Sequence, residues 1–377
     1  MSPEHEAVYQ AALQFARRAL EPVAEAMDRD DAWPRSVWDE AASLGYMGAG
    51  LPEPYGGSGG DLLTSALIAR ALSHASPAFA LSYGAHLNLC AHAIWHNGSE
   101  GQRTRYLPPL ARGTVIGALA LTEPDAGSDA TGIQTVAHPD GGGYCLTGSK
   151  TFITNAPVAD LWVVYAKTAP EAGRHGISAF IVERDWPGVS TSPPFAKLGM
   201  RGSPTGAVFF DDVHIPRDNL LGEENRGLQL MMGGLDRERA FYALSGVGIA
   251  EEALERALAH AQLRRQFGQR LVEFELVAAK LADMYVQTRA AHLMALDALA
   301  QLGAGRRASR EAAAALLAAG QAARFAADEA IQIFGGSGFL TGSVVERLYR
   351  DAKLFDIGAG TKEIRRLILA RELSGMR

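Results

Sequence analysis

Cysteine is nearly absent from this chain: among 377 residues only Cys90 and Cys145 occur, with no CxxC spacing. That argues against a disulfide framework and a cysteine-rich zinc site, and it fits a reducing compartment. A positive charge balance is missing as well. Forty-two acidic residues against 36 basic ones leave a formal charge of −6, so nothing suggests a nucleic-acid surface, and any anionic ligand must be held by local arginines. The N-terminus, MSPEHEAVYQAALQFARRAL, lacks the basic region and apolar core of a signal peptide. Neither a strand–GxGxxG–helix unit nor a Walker loop is found. The composition, 47% hydrophobic with 21% charged, argues against both disorder and membrane insertion. The expectation is a cytoplasmic globular protein of two or three domains.

What is present falls into three stretches. From Glu4 to about Arg112 apolar residues recur at helical spacing, as in Val8, Ala12, Phe15 and Ala19, with one break at LPEPYGGSGG, residues 51 to 60. Between about Leu119 and Gly222 the pattern becomes short β-branched and aromatic runs, LWVVYAK, ISAFIVE and AVFFDDVHI, separated by Gly, Pro and Asp. These read as a compact antiparallel sheet or barrel. The helical period then returns to Leu373 in alanine-rich runs. The domains are expected at 1–117, 118–222 and 223–377.

Three local features call for a chemical reading. His92 and His96 stand one helical turn apart, but without an HExxH context or a third ligand they do not specify a metal site, and none is expected. GGLDRERAFYALSGVG, residues 233 to 248, carries four glycines inside a helical pattern. Glycine weakens a helix, so its presence suggests something packed against the backbone. Helical spacing groups Glu238 with Leu235, Tyr242 and Ser245, away from Arg237 and Arg239. A carboxylate on that face would have a raised pKa and suit a general base; the alternative is a solvated ion-pair helix. The third feature is GAGT, Gly358 to Thr361, which could cradle an anion, form a plain turn, or mark a missing side chain.

ALALTEPDAGSDATGI, LTGSKTFITNA, KLGMRGSPTGAVFFDDVHIP, RRQFGQRLVEFE, AIQIFGGSGFL and RDAKLFDIGAGTKEIRR occur in the order found in acyl-CoA dehydrogenases. Over essentially its whole length the chain resembles that family. The resemblance implies an α+β multidomain fold: an N-terminal helical domain, a central antiparallel β-barrel and a C-terminal four-helix bundle. It also implies a homotetramer that binds FAD without a covalent link and passes electrons to an electron-transfer flavoprotein.

By position, Leu119, Leu121, Thr122, Gly127 and Ser128, with Phe152, Ile153 and Thr154, resemble the segments lining the flavin ring. Ser128 also matches a serine that touches the pantetheine arm. Arg264, Phe267, Gln332, Ile333, Phe334, Gly335 and Gly336 resemble groups lent to FAD by a neighbouring subunit. Glu275 stands where the family usually has glutamine, and Thr361, Lys362 and Glu363 fall on the cofactor side as well. Asp236 and Arg239 resemble CoA-binding residues, Arg239 near the adenine.

Short- and medium-chain members carry their catalytic glutamate in YEGT, which Gly358, Ala359, Gly360 and Thr361 replace here. The isovaleryl-CoA branch shares GAGT, and there the base comes from the position of Glu238. The resemblance thus implies Glu238 as base and the Ala359 N–H as donor to the thioester carbonyl of an acyl-CoA. Small residues at 358 to 360 would leave width for a branched acyl group, and Leu81 and Ala85 would shape its end. Other readings are a different acyl chain, an O₂-reducing oxidase, or a catalytically silent flavin- or CoA-binding scaffold.

Overall fold

The structure is a computed structural model and describes residues 1–375. Its N-terminal part holds seven helices: α1 (Pro3–Phe15), α2 (Glu21–Asp30), α3 (Arg35–Ser43), α4 (Leu62–Ala75), α5 (Pro77–Gly84), α6 (His92–Asn97) and α7 (Glu100–Ala111). Their starts follow from local chemistry. Asp61 and Ser76 accept backbone N–H bonds at the first turns of α4 and α5, and Pro77 supplies a preset φ. α5 runs on into α6 through a widened π turn at Ala85–Ala91, a local distortion that often marks a working site. α4 is apolar on most sides, and its residues from Ser65 to Ala75 are buried, packed against α1 on one flank and the C-terminal helices on the other.

Eight strands follow: β1 (Gly117–Ala120), β2 (Val136–Asp140), β3 (Gly143–Thr154), β4 (Leu161–Lys167), β5 (Ile177–Glu183), β6 (Val189–Thr191), β7 (Thr205–Pro216) and β8 (Leu220–Leu221). Here the expected antiparallel barrel needs correcting. The strands form one mixed sheet in the order β6-β7-β3-β2-β4-β5-β8, with β1 also on β4 and, among the described residues, no ladder joining β6 to β8. β1 pairs parallel with β4 from Gly117↔Leu161 to Ala120↔Val164, and β2 pairs parallel at Val136↔Lys167 further along the same strand. The connection over residues 121 to 135 carries the chain from one pairing to the next, so no hairpin forces reversal there. β3 and β7 slip register between Lys150 and Ile153. That bulge turns Phe152 outward at φ 57°, leaving it 68% exposed.

The C-terminal part contains α8 (Gly227–Leu263), the short hairpin β9 (Arg265–Gln266) and β10 (Gln269–Arg270), then α9 (Glu275–Gly303), α10 (Ser309–Phe334), α11 (Val344–Ala352) and α12 (Lys362–Ser374). α10 packs on α8, α9, α11 and α12. The glycines of α8 divide by role. A Cβ at Gly248 would lie 2.4 Å from the Arg70 carbonyl oxygen of α4, whereas Gly233 and Gly234 face open space. Arg70 also donates two hydrogen bonds of 2.8 Å to Glu251, so α8 is tied to α4 at this crossing. Gly248→Ala is therefore expected to destabilise the fold by about 1–3 kcal/mol, because backbone rather than a mobile side chain must give way. A thermal midpoint unchanged from wild type would contradict that contact.

Among the described residues no helix is long and apolar enough to cross a membrane.

Candidate active site

α8 passes along a cavity of about 280 Å³ and contributes Leu235, Arg237 and Glu238 to its wall. Leu119, Leu121 and Tyr165 come from the sheet side, and Asn88, Leu89 and His92 from the π turn and α6. Glu238 is only partly buried, since it opens onto the cavity, yet it lies deep enough in the fold for desolvation to govern its ionisation. Burial pushes the carboxyl up to about 7, with Arg239 and Arg365 pulling weakly the other way. Glu238 accepts no hydrogen bond among the described residues. An enclosed, unpaired carboxylate with a raised pKa on a cavity wall suits proton abstraction near neutrality.

The GAGT turn lies beside this helix. The Arg239 Nε donates to the Ala359 carbonyl at 3.1 Å, and its Nη1 donates to Asp236 at 2.9 Å. From α12, fully buried Arg365 donates to the carbonyls of Gly360 at 2.8 Å, Phe355 at 2.6 Å, Gly358 at 3.1 Å and Leu316 at 3.2 Å. All three carbonyls of residues 358 to 360 are thus turned onto guanidinium groups. Ala359 is held at φ 56° and Gly360 at φ 84°, a left-handed path that costs alanine more than glycine. The Ala359 N–H has no acceptor among the described residues, which leaves it free as an oxyanion donor. Thr361 caps α12, its hydroxyl accepting from Ile364 N at 3.3 Å.

The residues expected around a flavin ring fit an aromatic, polar-edged group. Leu121 and half-buried Leu119 line the cavity with Glu238, and exposed Phe152 stands at the β3 bulge. The hydroxyls of Thr122, Ser128 and Thr154 have no partners among the described residues. The strip is braced from behind by a pair that the sequence reading did not single out. Buried Lys150 donates to Glu123 at 2.7 Å and to the Leu121 carbonyl at 3.0 Å, while Thr151 N donates to the Thr122 carbonyl at 2.8 Å. Ile153 is the exception, since it points into the core.

Several expected positions fall elsewhere. Arg239 was expected near CoA adenine; it is 6% exposed and committed to Ala359 and Asp236. Asp236 is likewise occupied, by Arg239 and by the Ser309 hydroxyl. Neither Leu81 nor Ala85 lines the cavity. The Leu81 carbonyl accepts from the Tyr242 hydroxyl at 3.0 Å, and Ala85 is buried at the start of the π turn, which swings Asn88, Leu89 and His92 to the wall instead. Arg264 and Phe267, expected to serve a neighbouring copy's cofactor rather than this cavity, are exposed beyond the end of α8, as is Glu275, and Gln332 to Gly336 lie at the C-terminal end of α10 and just past it. Lys362 sits 3.7 Å from Asp356, and Glu363 is exposed. His92 donates from Nε2 to the Gly50 carbonyl at 3.0 Å, and Arg237 stands near both His92 and His96, which disfavours a metal cation there.

Comparison with known proteins gives matches over nearly the whole chain. Three family profiles align in order: Acyl-CoA dehydrogenase, N-terminal domain, with residues 2–114; middle domain, with 118–213; and C-terminal domain, with 225–374. The mitochondrial isovaleryl-CoA dehydrogenase of Pongo abelii is 40% identical over 375 residues, covering 98% of this chain and 89% of that protein. The butyryl-CoA dehydrogenase of Megasphaera elsdenii superposes with a TM-score of 0.97 at 38% identity, covering 99% of each chain. A chain from a structure described as the electron transferring flavoprotein of Acidaminococcus fermentans also gives 0.97, at 37% identity, covering 99% of this chain and 98% of that one.

Proposed function

The chain belongs to the acyl-CoA dehydrogenase family and is a FAD-dependent oxidoreductase, and we propose that it oxidises a short acyl-CoA to the 2-enoyl-CoA with Glu238 as the base. The observation that carries this reading is the Glu238 carboxyl, without a hydrogen-bond partner among the described residues and raised to about 7 by desolvation, on a cavity wall shared with Leu119 and Leu121. Bound FAD supplies the acceptor for the hydride that leaves the β-carbon. Glu238 takes the α-proton, and the Ala359 N–H donates to the thioester carbonyl as negative charge builds there. Arg239 and Arg365 keep that N–H aimed by holding the carbonyls around it. The low side-chain volume at Gly358, Ala359 and Gly360 leaves room for branching, so isovaleryl-CoA is the first substrate to offer, giving 3-methylcrotonyl-CoA.

An electron-transfer flavoprotein as acceptor and a homotetramer, with Arg264, Phe267 and Gln332 to Gly336 serving the FAD of a neighbouring copy, belong to the same proposal. The exposed phenyl of Phe267, 94% accessible, supports it.

The test is anaerobic mixing of the flavin-loaded protein with isovaleryl-CoA, butyryl-CoA and octanoyl-CoA, following loss of visible flavin absorbance. Fastest bleaching by isovaleryl-CoA supports the branched substrate; faster bleaching by another chain keeps the chemistry and removes that assignment. The pH dependence follows from the same carboxyl. Only ionised Glu238 can accept a proton, and its pKa is raised, so kcat/KM should climb about tenfold per pH unit below about 7 and level off above it. A profile flat between pH 5 and pH 8 would rule Glu238 out as the base.

A further inference from the structure

At one point the cavity wall changes character. Besides the apolar Leu119 and Leu121 the cavity is lined by Asn88, His92 and Arg237, none of them used in the mechanism above. Asn88 is 5% exposed, and both its amide nitrogen and its amide oxygen are buried without a hydrogen-bond partner. Burying such a group unpaired is costly. It sits within the π turn Ala85–Ala91, where the extra residue presents its side chain to the cavity. Next along the wall, buried His92 spends Nε2–H on the Gly50 carbonyl, and its Nδ1 is left without a partner.

Arg237 completes the group. It is half-buried, and no carboxylate lies within ion-pair distance of it among the described residues. Consecutive residues of a helix diverge by about 100°, so Arg237 and Glu238 reach different parts of the same wall. The two imidazoles nearest Arg237, His92 and His96, are held neutral by burial and by its charge. Among the described residues no carboxylate forms an ion pair that balances the guanidinium.

We infer that this pole receives the far end of the acyl group and selects an acyl chain that ends in a carboxylate. The guanidinium offers the charge and a fork of donors, the Asn88 amide adds another donor, and a carboxylate would satisfy both. This rests on the dehydrogenase reading for the thioester end and extends it to the opposite end.

A clean comparison is 3-methylglutaryl-CoA against isovaleryl-CoA, since the first is the second with one methyl group carboxylated. Equilibrium binding of each to the flavin-loaded Glu238→Gln variant is measured by calorimetry, so turnover does not intervene, and bleaching rates are taken with the wild type. The expected result is binding of 3-methylglutaryl-CoA at least about tenfold tighter than isovaleryl-CoA, with Arg237→Leu or Asn88→Leu in the same background shrinking or reversing the ratio. Flavin content and thermal midpoint show whether each variant is folded, and either one alone decides the question. Equal or weaker binding of the carboxylated ligand, or a ratio that neither substitution moves, would overturn the inference. Bleaching separates the two claims: a protein bleached by isovaleryl-CoA that fails the binding comparison keeps its dehydrogenase assignment, whereas one that no acyl-CoA bleaches loses that assignment while the binding ratio still judges the polar pole.

Discussion

Glu238→Gln is expected to slow flavin bleaching by acyl-CoA about 10² to 10⁴-fold while the protein keeps its flavin and its thermal midpoint. Glutamine preserves shape but cannot take a proton. Glu238 accepts no hydrogen bond among the described residues, so the neutral amide breaks none, and the expense of enclosing a charge disappears with it. Stability should be unchanged or slightly higher. Retained bleaching at wild-type rate would show that another group removes the proton and would void the mechanism. Loss of flavin together with loss of rate would instead make Glu238 structural. Glu238→Asp separates distance from charge, since a carboxylate drawn back by one methylene should recover part of the rate.

The other large effect is expected at Arg365. Its side chain is 0% exposed and donates to four carbonyls. Arg365→Met keeps much of the volume but removes every donor. Each buried acceptor left unsatisfied costs about 1–3 kcal/mol, so a total loss of roughly 3 kcal/mol or more is expected. Arg365→Lys should recover little, because a single ammonium cannot span carbonyls that a planar fork reaches together. Turnover should fall beyond what the folded fraction explains, since the Gly358 and Gly360 carbonyls would no longer be held and the Ala359 N–H between them would lose its aim. Chemical unfolding and single-turnover bleaching measure the two effects separately. A stability change under about 1 kcal/mol would mean that water or rearrangement replaces the lost bonds.

The helical, β, helical order was legible in the sequence because periodicity and turn residues are local properties. Strand direction was not. Nothing in LWVVYAK shows that β4 takes β1 and β2 parallel along one edge, since that depends on where the connection over 121 to 135 crosses. Within α8, helical spacing correctly put Glu238 with Leu235 on one face, but it assigned both flanking arginines to the other. Arg239 is drawn inward by Asp236 and the Ala359 carbonyl, 120 residues away in sequence, and Arg237 by a cavity that only the tertiary fold creates. The HAIWH spacing specified no metal site, but period alone could not show that an arginine approaches both imidazoles. Asn88 left no trace, because a π turn shifts the faces of every residue after Ala85 and propensity does not mark it. Lys150 and Glu123 were hidden for a different reason: a lysine in a strand looks solvated until its neighbours are known.

Arg239 follows Glu238 directly on α8 and holds the Ala359 carbonyl. Proton acceptor and oxyanion donor therefore travel as one jig. A displacement of the helix carries the GAGT turn with it, so the span between the α-hydrogen and the carbonyl oxygen is buffered against thermal excursion. Substitutions that loosen α8 along its far length, such as at the Gly248 crossing, should consequently lower the rate for all acyl-CoA substrates by a common factor and leave the choice among them intact.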